Sequence, residues 1–61
     1  MKKVFLSHEE LYNLIDNDIL IIALGHKLID NNLYKVVEYG INDIGYIAYI
    51  PVNTMDELSI I

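Results

Sequence analysis

The apolar positions of this chain change rhythm along its length, and each rhythm predicts an element. Ser7-His8-Glu9-Glu10 has the composition of a capping box. The Ser7 hydroxyl is placed to accept from the Glu10 N–H, and the Glu10 carboxylate to reach back to the Ser7 N–H. Leu6 and Leu11 bracket it as a hydrophobic staple, while Glu9 and Glu10 sit where the helix dipole favours negative charge. Leu11, Leu14 and Ile15 then recur on one face at helical spacing, with Tyr12 at its border, which predicts a helix over 8–16. Asp16-Asn17-Asp18 stops it, because these residues favour non-helical backbone bonding and the two carboxylates oppose the C-terminal dipole. His8, at the first helical position, is expected to face water.

The run Ile19-Leu20-Ile21-Ile22-Ala23-Leu24 follows without a polar break. A strand with one wet face alternates, and this one does not, so the run predicts a central strand covered on both faces. Gly25 reads as a bulge that lets the strand continue through His26–Asp30. Asn31-Asn32 reads as a two-residue hairpin turn, since Asn tolerates positive φ. Over 33–39 the pattern alternates, with Leu33, Lys35, Val37 and Tyr39 on one face and Tyr34, Val36 and Glu38 on the other. Residues 40–45, bracketed by glycines, read as a loop. Tyr46–Ile50 forms another strand, with Tyr46, Ala48 and Ile50 opposite Ile47 and Tyr49, and Pro51 closes it. Lys2–Leu6 is a short strand leading into the helix. Thr54-Met55-Asp56-Glu57 offers a second capping box and predicts a short terminal helix before Leu58 and Ile60.

These elements predict a single α+β domain over residues 1–61. An N-terminal helix packs on a small antiparallel meander of about three strands, with a short C-terminal helix behind it. One helix covers one face of such a sheet. The other face, with Tyr34, Val36, Ile47 and Tyr49, is left for a second copy of the chain or another protein. A domain of this size buries only about 60% of its unfolded surface, which makes association the expected cover.

Composition narrows the functional classes. The chain has 61 residues, 54% of them hydrophobic, and a mean hydropathy of +0.34, which excludes disorder. It has no Cys, so neither a disulfide nor a thiolate zinc site can form. Oligomerisation and a well-packed core are the remaining staples. Lys2 and Lys3 precede too short an apolar stretch for a secretory signal, and the 19–24 run is far shorter than the roughly 18–20 residues of a membrane span. A cytoplasmic protein without membrane contact is the expectation. Nine carboxylates against four lysines, with no Arg, give a net charge of −5. That is the wrong sign for direct nucleic-acid binding and favours a partner with a basic face.

The chemistry-bearing residues form no constellation. His8 and His26 have no ligand-like spacing to each other or to Glu9 and Glu10. Asp16-Asn17-Asp18 lacks the Gly and distal Glu of a calcium loop. Ser7 and Thr54 are better explained as caps, and Gly25-His26-Lys27 matches no phosphate loop. Neither a cofactor nor a catalytic residue is expected. The tyrosines carry the sharpest signal, because Tyr is enriched at protein interfaces. Tyr34, Val36, Tyr39, Tyr46, Ile47 and Tyr49 are the candidate protein interface, with cross-strand packing the structural role the same residues would serve.

Ile occurs eleven times, with many Asn, Tyr, Lys and Asp, while Arg, Trp, Gln and Cys are missing. Apart from Asp, these abundant residues are those that AT-rich codons specify. In size, acidity and this composition the chain resembles the short accessory proteins of phages; no motif carries the likeness. The resemblance implies a non-enzymatic inhibitor or regulator without a cofactor that blocks a bacterial host or defence protein by occluding a surface, in the host cytoplasm if the gene is a phage's. The homodimer is expected from the uncovered sheet face instead. Two other classes remain open from the sequence. One is an acidic nucleic-acid mimic, for which nine carboxylates offset by four lysines are thin. The other is a small structural subunit of an oligomeric assembly.

Overall fold

The computed structural model describes residues 1–52, and in it the capping box forms as the sequence predicts. Glu10 N–H donates to Ser7 Oγ at 3.1 Å, and Ser7 N–H donates to Glu10 Oε1 at 2.9 Å. The helix α1 spans His8–Asp16 and buries Leu11, while Leu14 packs on the edge of the core and Ile15 stays 49% exposed. Its C-terminus is a Schellman closure: Asp18 N–H donates to the Ile15 carbonyl and Ile19 N–H to that of Leu14, both at 3.0 Å. The closure puts Asp18 at a φ of 62°, where glycine is the usual residue.

Asp18 carries two costs there, a left-handed backbone and a carboxylate at the negative end of the helix dipole. Asp18→Gly is expected to stabilise the fold by about 1 kcal/mol, read in thermal unfolding as a Tm raised by roughly 5 °C. No gain would mean that the Asp18 side chain itself holds the turn.

The strands are β1 (Lys2–Phe5), β2 (Ile22–Ile29), β3 (Asn32–Ile41) and β4 (Ile44–Pro51), in the sheet order β1-β4-β3-β2. The expected three-strand antiparallel meander is therefore corrected to a four-stranded mixed sheet. β2, β3 and β4 do pair antiparallel, but β1 adds to β4 in parallel, with Phe5 opposite Tyr49. That pairing joins the two ends of the described chain, and no local pattern could announce it. The predicted short helix after Thr54 lies outside the described residues.

Both hairpins turn on two residues of positive φ, as the mirror-image turns that match strand twist require. They are Asp30-Asn31 (50° and 65°) and Asn42-Asp43 (52° and 66°). The first is one residue earlier than the Asn31-Asn32 turn the sequence suggests. The second shrinks the expected loop over 40–45 to two residues, because Gly40–Ile41 and Ile44–Gly45 pair across it.

The larger correction concerns the apolar run. Residues 19–21 precede β2, and β2 is an edge strand rather than the centre of the sheet. The run divides three ways: Ile19 and Ile21 pack against the core, Leu20 is 77% exposed, and Ile22 and Leu24 are about half exposed at 48% and 50%. The Gly25 bulge is real, with a register shift between Ala23 and Gly25 and a φ of 130°. The strands enclosed on both sides are β3 and β4. They supply Val37, Tyr39, Ala48 and Ile50, which form the core with Leu11.

Candidate functional site

Cross-strand partners share a face, so the register sorts every strand residue to one side of the sheet. The helix side carries Val4, Val37, Tyr39, Tyr46, Ala48 and Ile50. The opposite, open side carries Phe5, Tyr49, Val36 and Tyr34, with Ile47, Glu38 and Ile22 beyond them. The alternation read from the sequence over 33–39 and 46–50 is the alternation observed. The six candidate interface residues consequently split. Tyr34, Val36, Ile47 and Tyr49 lie together on the open face, whereas Tyr39 and Tyr46 lie under the helix side and stack on each other at 5.1 Å.

Phe5, Tyr34 and Tyr49 form a closed aromatic triad on the open face. Phe5 meets Tyr34 edge-on at 5.4 Å, Phe5 meets Tyr49 at 5.3 Å, and Tyr34 meets Tyr49 edge-on at 6.5 Å. Edge-on contacts of this kind are each worth about 0.5–1.5 kcal/mol beyond the area they bury. Lys27 lays its ammonium over the Tyr49 ring at 6.0 Å. Tyr49 is thereby buried by side chains of its own face, while Phe5, on top of it, is 62% exposed.

Phe5 and Lys27 escape a sequence reading for separate reasons. Phe5 reaches the triad only through the parallel pairing of β1. Lys27 is five residues from Ile22, a spacing that opposes them in a regular strand. The Gly25 bulge shifts the register so that both stand on the open face. The glycine was the one local signal of that switch.

The four lysines divide evenly, Lys2 and Lys35 on the helix side and Lys3 and Lys27 on the open side, but the carboxylates do not. Among the described carboxylates only Glu38 stands on the open face, two strands from Lys3 and four residues along the sheet from the Lys27 position. Glu9, Glu10 and Asp16 lie on the helix, and Asp18, Asp30 and Asp43 lie at its end or in the hairpin turns.

His8 does not stand free in water as expected. Its ring is half-buried, and Nε2–H donates to the Pro51 carbonyl at 2.7 Å, tying the start of α1 to the end of β4. His26 is exposed on β2, opposite Lys35. Among the described residues no three of His, Asp or Glu converge as metal ligands, and no helix is long and apolar enough to cross a membrane.

The titration of Tyr39 is displaced. Burial, then the neighbouring Tyr46 hydroxyl and the Glu10 carboxylate, raise its phenol above the ordinary 10.0. Below pH 10 both folded and unfolded chains keep this proton, so its contribution is fully present there. As pH rises further, the unfolded chain ionises first and stability falls. Tyr39→Phe is expected to flatten that alkaline decline in urea unfolding followed from pH 8 to 11. An unchanged slope would show that Tyr39 does not contribute to the decline.

No known protein family, curated protein or solved structure matches this chain.

Proposed function

We propose that the chain is a non-enzymatic protein-binding module whose contact surface is the open sheet face. In a bacterial setting, the role implied by its likeness to phage accessory proteins is occlusion of a surface on a host or defence protein. The observation that supports this reading is Phe5. A large aromatic ring, 62% exposed, is held in place by Tyr49 and Tyr34 on a face that, among the described residues, no helix covers. Exposed aromatics on pre-ordered supports are the typical anchors of protein interfaces, because little side-chain freedom is left to lose on binding. The scattering of carboxylates over helix and turns supports a phosphate mimic less, since a mimic needs a dense acidic stripe.

The test is capture of a bacterial protein by the tagged chain and by two variants. Phe5→Asp is expected to abolish specific capture, while Glu9→Lys, on the helix side, is expected to retain it. Capture that survives Phe5→Asp and fails with Glu9→Lys would move the contact to the acidic helix.

A further inference from the structure

The rows of the open face set opposite charges at equal distances from its apolar centre, and we infer that this face is closed by a second copy of the chain. The inference rests on the open face being a protein-binding surface, which a second copy and a bacterial partner would cover in turn and not together. By register, Phe5, Tyr49, Val36 and Gly25 form the central row. The row two residues away on one side holds Lys3, Ile47, Glu38 and Ile22. The row two residues away on the other holds Pro51, Tyr34 and Lys27.

A two-fold axis lying along the central row exchanges the outer rows. Each Lys27 then stands on the Glu38 row of the other copy, one strand from that carboxylate, and the pairing occurs twice. Phe5, Tyr49 and Val36 meet their own counterparts in between. The contact from Lys27 to the Tyr49 ring holds the ammonium over the face, where such a pair forms, rather than out beside it. The outcome is an apolar centre with a rim of both signs, the anatomy of a specific isologous interface. Charge supports the same geometry at longer range. Each copy carries −5, and sheet-to-sheet packing keeps both acidic helices on the outside, where they repel least.

The two edges of the sheet favour this face over edge pairing. β1 is only four residues long and carries Lys2 and Lys3, which blunt it. β2 is longer, but its bulge at Gly25 interrupts the flat ladder that an added strand needs. Four strands about 4.8 Å apart make the open face roughly 19 Å wide. A face of that width belongs to the small end of specific interfaces, so a dimer of roughly micromolar affinity is expected.

Sedimentation equilibrium from roughly 1 µM to 1 mM tests this. The wild-type chain is expected to pass from monomer to dimer within that range. Glu38→Lys and Lys27→Glu are each expected to raise Kd by about tenfold, and the double variant to return within about threefold of wild type. If net charge alone governed association, Glu38→Lys would strengthen it and Lys27→Glu would weaken it. That opposite pair of effects overturns the inference, as does a monomer at every concentration. Dimerisation that ignores both reversals but is lost in Leu28→Glu places the interface on the β2 edge and also overturns it. Unchanged circular dichroism in each single variant separates a lost interface from a lost fold. A monomeric wild type whose capture of a bacterial protein still depends on Phe5 would leave the protein-binding reading intact and the second copy excluded.

Discussion

Truncating Ile50 to alanine is expected to leave most of the chain unfolded at 25 °C, while truncating Leu20 is expected to be nearly silent. Ile50 is 0% exposed on β4, packed among Leu11, Val37, Tyr39 and Ala48. Removing buried methyl groups costs their transfer energy and the cavity they leave, about 2–5 kcal/mol for Ile to Ala. A core this small seldom supplies more than about 3–5 kcal/mol in total. The loss therefore rivals the whole stability of the fold. Leu20 is 77% exposed, so its truncation is expected to shift stability by less than about 0.5 kcal/mol. Urea unfolding of both variants, at concentrations that keep the chain monomeric, reads the difference. Equal losses at the two positions would show that the 19–24 run is buried after all.

Gly25→Ala is expected to cost about 1–3 kcal/mol, and entirely through the backbone. A Cβ added at Gly25 meets nothing within 4 Å, so sterics with the rest of the molecule do not oppose it. Its φ of 130° does, because side-chain-bearing residues rarely adopt that conformation. Gly45→Ala is the matching control. There the new Cβ comes to 3.3 Å from the flexible Met1 side chain, which can move, and φ is not positive. A lower urea midpoint for Gly25→Ala than for Gly45→Ala is the expected result. Wild-type stability in Gly25→Ala would mean that β2 does not hold the bulge, and Lys27 would then lose its place on the open face.

Sequence and structure agree where neighbours along the chain decide the outcome. Ser7 and Glu10 are three residues apart and bond reciprocally, so the helix start follows from composition alone. Alternation sorts Tyr34, Val36, Ile47 and Tyr49 from Val37, Tyr39, Ala48 and Ile50 because the period of an extended strand leaves no choice. The same rule means that four of the six candidate interface residues share a face and the other two do not. The first hairpin turn shifted by a residue because Asp and Asn tolerate positive φ almost equally, and the second tightened from the expected loop to Asn42-Asp43.

The disagreements arise where distant segments decide. A run of six apolar residues is consistent with a strand buried on both faces, but also with residues divided among a helix end, the core and an exposed edge. Ile19 is claimed by the Schellman closure of α1, and that shortens the strand from its start. Strand order was equally out of reach. β1 has four residues and no strong alternation, and its partner lies more than forty residues away in β4. The aromatic triad depends on that pairing, since it alone brings Phe5 to Tyr49 and Tyr34.

By itself, then, the sequence determined the capped helix, the bulge, the two long alternating strands and which of their residues share a side. It also established an acidic chain without cysteine, because composition needs no fold to be read. Only the tertiary structure decided that β4 and β3 are central and β2 is an edge, that Phe5 crowns the open face, and that Lys27 and Glu38 flank its centre at equal distances. The physical reason is that capping and periodicity are fixed by residues within a turn or two. Strand order is instead set by which of several long-range pairings buries the most apolar surface, and that is a property of the whole chain.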